Sequence, residues 1–263
     1  MTTVGTYLNY LRVHRGPRKD PARVNMSREN LMTHLNEAIQ DTARLLIDAK
    51  EPWMVTKVVA TLTKDQETYT LNNGGIMDDS ANLENRSSFA RPHSLRVLSE
   101  DGKTSVGYRI VTLREGSDLW APAADSTEVP VASLRVASGD GTEAVGAGGA
   151  EAEFEIVLWR PPNYTKTGAL EFYYYFLPSM LSTTTVDGWE PAIPRYADRC
   201  VKLYALRSLY LSEGMPEFVQ ALEGEIQRAI MNMTSVSAST LSDDPQYVRD
   251  EGDWDDSWVW PYY

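Results

Sequence analysis

Residues 27–52, SRENLMTHLNEAIQDTARLLIDAKEP, constrain the fold more than any other stretch of this chain. Leu31, Leu35, Ala38, Thr42, Leu45 and Ala49 recur at helical spacing, and Ile39 and Leu46 widen the stripe. Ser27 is placed to cap the start, Glu29 lies near the positive end of the helix dipole, and Pro52 stops the run. A helix with one apolar face draws most of its stability from burying that face against another element. The residues that follow do not supply a helical partner.

From Trp53 the periodicity becomes that of strands. WMVTKVVATLT (53–63) and ETYTLN (67–72) are β-branched and aromatic, and Asn72-Asn73-Gly74-Gly75 form a turn signal. Further strands are expected at 94–98, 105–113, 131–137, 153–159 and 170–177, with a hairpin at Glu100-Asp101-Gly102-Lys103. Gly139–Gly149 reads as a loop without the Lys-Ser/Thr of a phosphate-binding loop.

Helical pattern returns at Ala192 and ends at Gly214, apolar on most sides, as in the central helix of a bundle. Pro216 opens another helix, whose stripe is Val219, Leu222, Ile226, Ala229, Ile230 and Met233. A first short helix is expected over 3–15, stopped by Gly16-Pro17. The expected fold is therefore α+β, a helical bundle formed from N- and C-terminal halves with an inserted all-β domain. Its divisions are 1–52 for the N-terminal helices, 53–185 for the β domain, 186–235 for the C-terminal helices, and 236–263 for a linker and extended C-terminal tail.

The chain has 263 residues, a net charge of −12 and one cysteine, Cys200. The acidic balance disfavours binding to phosphate backbones, which rests mainly on Lys and Arg. Arg12, Arg15, Arg18, Lys19, Arg23 and Arg28 form a basic stretch, read as a solvated segment. No apolar run is long enough to span a bilayer, and the N-terminal residues lack the order of a signal peptide. A lone cysteine excludes an internal disulfide, and a reducing compartment is expected.

No catalytic constellation stands out. His14, His34 and His93 are not at metal-ligand spacing, and no nucleophile elbow is present. The acidic pairs Asp78-Asp79, Asp243-Asp244 and Asp255-Asp256 do not secure two carboxylates facing each other across a cleft. The run Tyr173-Tyr174-Tyr175-Phe176 lies on an expected strand, so two rings should enter the core and two meet a neighbouring surface. No enzyme activity, cofactor or metal is expected.

The terminal segment DEGDWDDSWVWPYY (250–263) combines five acids with three tryptophans and two tyrosines. Trp254, Trp258, Trp260, Tyr262 and Tyr263 are the kind of anchors that dominate interfaces. Asp253, Asp255 and Asp256 among them suit a receiver with a basic rim. The segment reads as a tethered docking peptide for a partner or neighbouring subunit; a tail docked on its own core is the alternative.

Several short motifs occur in a distinctive order. Leu31-Met32-Thr33-His34-Leu35-Asn36-Glu37-Ala38 is followed by Trp53 and Tyr69-Thr70-Leu71. Then come Val157-Leu158-Trp159-Arg160-Pro161-Pro162, the Tyr173–Tyr175 strand, and Ile193-Pro194-Arg195-Tyr196-Ala197-Asp198 opening a helix. This succession, over about residues 27–235, resembles the head–tail adaptor (connector) proteins of tailed bacteriophages, especially short-tailed ones. The resemblance implies a ring of about twelve copies under the portal protein, a homododecamer at the head–tail junction of the virion, assembled in the host cytoplasm. It also implies a DNA channel without specific DNA binding, and a platform for a downstream tail or nozzle protein. Alternatives are another tail-tube or head-completion protein, or a carbohydrate- or peptide-binding β module.

Overall fold

The computed structural model describes residues 2–14, 27–70, 86–112, 130–136 and 154–242. Helix α2, Arg28–Asp48, begins where Ser27 Oγ accepts from the Asn30 amide at 3.2 Å. It ends before Pro52: Lys50 turns left-handed (φ 56°) and the Glu51 N–H closes on the Leu46 carbonyl at 2.9 Å. Its buried face is Leu31, Met32, Leu35, Ala38, Ile39, Thr42, Ala43, Leu46 and Ile47. That face drifts toward Leu46 and Ile47 rather than Leu45 and Ala49, because 3.6 residues per turn do not keep a strict seven-residue register.

The partners of that face come from both ends of the sequence. Helix α1 (Val4–His14) buries Val4, Tyr7, Leu8 and Leu11. Helix α3 (Asp198–Ser212) touches α1, α2 and the last helix, α4 (Pro216–Ser242), and so is the central element. Gly214 (φ 67°) closes α3, and Pro216 opens α4. Two boundaries differ from the expected ones. Residues 192–197 are not α-helical and hold a 3-10 turn at Arg195–Ala197, while α4 runs to Ser242, into the segment read as linker.

Between the halves lie β1 (Val55–Leu62), β2 (Thr68–Thr70), β3 (Arg86–Leu98), β4 (Ser105–Thr112), β5 (Val131–Val136), β6 (Phe154–Leu158) and β7 (Lys166–Pro178). They form one seven-stranded sheet in the order β1-β7-β3-β4-β5-β6-β2, antiparallel except for β4–β5. The two edge strands are consecutive in sequence, so the sheet must curl. From Leu62 to Thr68 there are six residue steps, at most about 20–22 Å of chain. Laid flat, six strand spacings would hold the edges about 29 Å apart. The Tyr69 hydroxyl joins them, accepting from the Thr63 amide at 3.2 Å.

Inside the curl, pairing aligns Val58 with Phe172, and Phe172 with Leu95. From the other side come Ala132 against Leu158, Leu134 against Ile156, and Ile156 against Tyr69. All these side chains are buried. Strands β3 and β7 are longer than expected and pair along their length through three irregularities, one of them at Pro92–Ser94. The aromatic run departs from simple alternation. Tyr174 and Phe176 are buried, Tyr175 on the opposite face is buried too, and only Tyr173 is half-exposed. Tyr175 is covered because Arg91 lies over its ring, 4.6 Å from the centroid.

Helix α2 also holds the segment leaving β7 by its polar face. The Asn36 amide donates to the Leu181 carbonyl at 2.9 Å and its oxygen accepts the Leu181 N–H at 2.7 Å, the pairing a neighbouring strand would make. Gln40 donates to the Pro178 carbonyl at 2.6 Å. Asn36→Ala orphans both Leu181 groups and is expected to cost about 2 kcal/mol, with Asn36→Asp restoring only the acceptor half. Chemical denaturation of the two variants against the parent checks this, and equal midpoints for all three would contradict it.

Candidate functional site

Several of the motif residues that give the sequence its resemblance, Asn36, Tyr196 and Asp198 among them, sit at contacts between the helices or between helix and sheet. Asp198, in the first turn of α3, accepts from the Tyr7 hydroxyl at 2.6 Å and from the Thr2 hydroxyl, tying α1 to α3. Burial, then this carboxylate, pushes the Tyr7 pKa well above its ordinary range. Two residues earlier, the Tyr196 hydroxyl faces the buried carboxylate of Glu51, and burial followed by that charge raises its pKa as well. Glu51 also caps the 3-10 turn Pro52–Met54, which leads from α2 into β1. On the other side of this joint Arg91 of β3 donates to the Ile47 carbonyl and lies 3.9 Å from Asp48, placing a cation at the negative end of α2.

The start of α1 is fastened to the segment before α3. Val4 N–H donates to Trp189 O and Gly5 N–H to Asp187 O, each at 2.8 Å. A Cβ on Gly5 would lie 3.0 Å from the Asp187 Cβ, so a larger residue here would have to push the Asp187 segment back by a few tenths of an ångström. Arg28, at the start of α2, donates to Asp187 at 2.5 Å and to the Thr185 carbonyl, so one segment receives both N-terminal helices.

His34 bridges α2 and α3, as a residue at a packing boundary. Its Nδ1 lies 2.8 Å from Ser208 Oγ and its Nε2 lies 3.3 Å from Ser212 Oγ. Burial lowers its pKa below the usual histidine value, against Glu37 and Glu213, which raise it. The contribution to stability is present above the ordinary histidine pKa and is lost as pH falls through the lowered folded value, because the unfolded chain takes up the proton first. Denaturation midpoints at about pH 7.5 and about pH 5 should fall with acid, and less so in His34→Gln. Identical slopes for the two proteins would contradict the assignment.

Cys200 is buried and its thiol is pushed up to about 11 by burial, so it behaves as a small core hydrophobe. Among the described residues no group of three or more His, Cys, Asp or Glu side chains converges to hold a metal ion. No described helix is long and apolar enough to cross a membrane. With Tyr174, Tyr175 and Phe176 buried, the aromatic run offers no open stacking platform for a sugar or base. The docking residues expected from the sequence, Asp253, Trp254, Asp255, Asp256, Trp258, Trp260, Tyr262 and Tyr263, lie outside the described residues, as do Asp78-Asp79, Asp243-Asp244, the loop 139–149 and the basic residues 15–23.

A surface that sequence reasoning passed over is the outer face of the sheet. Lys57, Val59 and Arg96 are exposed there beside half-exposed Tyr173. Lys57 pairs with Glu171 at 2.9 Å, and the Arg96 guanidinium lies 5.8 Å from the Tyr173 ring centroid. The signal was the alternation in 53–63, which puts Lys57 and Val59 on the same side.

No curated protein matches the chain. A family profile described as SU10 adaptor protein matches residues 2–249, all the described elements included and only the aromatic segment from 250 beyond its end. The ordered motifs, the helical halves around a curled sheet and a match over nearly the whole chain agree: the protein belongs to the SU10 adaptor protein family, that is, to the bacteriophage adaptors.

Proposed function

We propose that the chain is a structural component of the virion that forms a ring of about twelve copies beneath the portal. In this reading the ring extends the DNA channel and carries the downstream tail or nozzle proteins. The observation that carries it is the adaptor family match across residues 2–249. The helices form the ring body and the β part faces a neighbouring or following component. Exposed Leu211, Phe218, Met231 and Val236 on α3 and α4 supply apolar surface that a neighbouring copy would cover. A net charge of −12 suits a channel wall that passes DNA without gripping it. No catalytic role is assigned.

In the same reading, residues 250–263 dock on the portal or on a neighbouring copy through Trp254, Trp258, Trp260, Tyr262 and Tyr263. Negative-stain imaging of the full chain mixed with its portal tests both parts. Rings stacked coaxially on the portal are expected, with docking weakened in a chain shortened after Arg249. A chain that remains monomeric and apart from the portal overturns the adaptor reading. Undiminished docking by the shortened chain overturns the role of the segment.

A further inference from the structure

We infer that the outer face of strands β1, β7 and β3 is the receiver for residues 250–263 of a neighbouring copy. This rests on the ring reading above and names the surface that the terminal segment meets.

In a chain of net charge −12 the face gathers Lys57 and Arg96 around the half-exposed Tyr173 ring, with Arg91 over the Tyr175 ring two residues along the same strand. The facing acids are Glu171, bound to Lys57 at 2.9 Å, and Asp48, 3.9 Å from Arg91. Among the described residues no carboxylate pairs with Arg96, which is exposed with Tyr173 as its neighbour. Beside it in the register stands Gly107, where a Cβ would meet nothing within 4 Å, leaving open space next to the guanidinium. Val59, 45% exposed and opposite Glu171, adds an aliphatic floor.

The terminal segment is the complement of that surface. Residues 243–263 hold seven acids (Asp243, Asp244, Asp250, Glu251, Asp253, Asp255, Asp256) against one base, Arg249. Its indoles suit guanidinium and aromatic faces, and its carboxylates suit Lys57 and Arg96. Reach is adequate. Helix α4 touches the turn Arg195–Ala197, whose Tyr196 lies against Glu51 at the Tyr175 end of the sheet. From Ser242 the ten residues 243–252 span at most about 33–36 Å extended, and about 16–19 Å as a coil. A donor segment and a different receptor surface on each chain make a head-to-tail contact, the kind that closes rings.

The test is a cysteine pair in the full chain, Val59→Cys with Ser257→Cys. The only native thiol, Cys200, is buried and has a raised pKa, so it stays silent under mild oxidation. With portal present, a ladder of covalent multimers that requires both cysteines is expected. Adding Arg96→Glu and Lys57→Glu should lower its yield about tenfold, and further substitution of Asp255→Lys and Asp256→Lys should restore it. Rings on the portal without cross-linking overturn this inference and leave the adaptor reading standing. A cross-link confined to monomers places the segment on its own sheet and overturns the neighbour assignment. Absence of rings and cross-links together overturns both.

Discussion

Phe172→Ala is expected to destabilise the protein by about 3–5 kcal/mol, the largest effect of any single truncation considered. Phe172 is fully buried on β7, the strand that pairs with both β1 and β3. Its ring stacks on Tyr174 with centroids 5.6 Å apart and lies 6.1 Å from Phe89. Truncation removes the transfer free energy of the ring and leaves a cavity between Val58 and Leu95, whose backbones are held by the ladder and cannot close inward. The neighbouring substitution Tyr173→Ala is the control. Its ring stands on the outer face, and its loss should cost far less. Denaturant midpoints at constant m-value measure both, and a cost below about 1 kcal/mol for Phe172→Ala would contradict the curled core.

Asp198→Ala is expected to cost about 2–4 kcal/mol. The carboxylate accepts from both Tyr7 and Thr2, and the Tyr7 side chain is buried, so its hydroxyl loses its partner without gaining water. A negative group in the first turn of α3 is lost as well, worth about 0.3–1 kcal/mol. Tyr7→Phe removes the same hydrogen bond without leaving an orphaned donor and should cost less. In the double variant the two effects should be non-additive, since they report one contact. Additive costs would show that Asp198 acts elsewhere.

Local punctuation made much of the helical frame legible. Ser27, Gly214 and Pro216 act where the sequence places them, and the buried stripe of α2 follows its periodicity with a slow drift. Strand positions were legible from alternation, but their lengths were not. The stretch of β3 from Arg86 to Ser94, which includes Arg91-Pro92-His93, pairs through irregularities, which break the period on which such reading depends. The last turns of α4 carry Ser and Thr, weak helix formers whose sequence reads as linker. The curl of the sheet was illegible because it follows from the order of strands, which pattern alone does not give.

The joint was half legible. Asn36 and Asp198 both stood in the motifs whose order carries the resemblance, yet their partners, Leu181 and Tyr7, are distant in sequence. Polar side chains of this kind have no periodicity to betray them, and only the fold shows what each one satisfies. Asn36 and Asp198 are thus ties, one fixing α2 to the segment leaving β7 and the other fixing α1 to α3. The outer face of the sheet escaped notice for a related reason: Lys57, Arg91 and Arg96 come from two strands more than thirty residues apart and meet only through β7.

The most direct measurement of the central claim is cryo-electron imaging of the neck of virions that carry this chain. The account predicts a ring of copies directly beneath the portal, into which the helical body and the curled sheet both fit. Density at that position belonging to other proteins, with this chain elsewhere or missing from the particle, would contradict it.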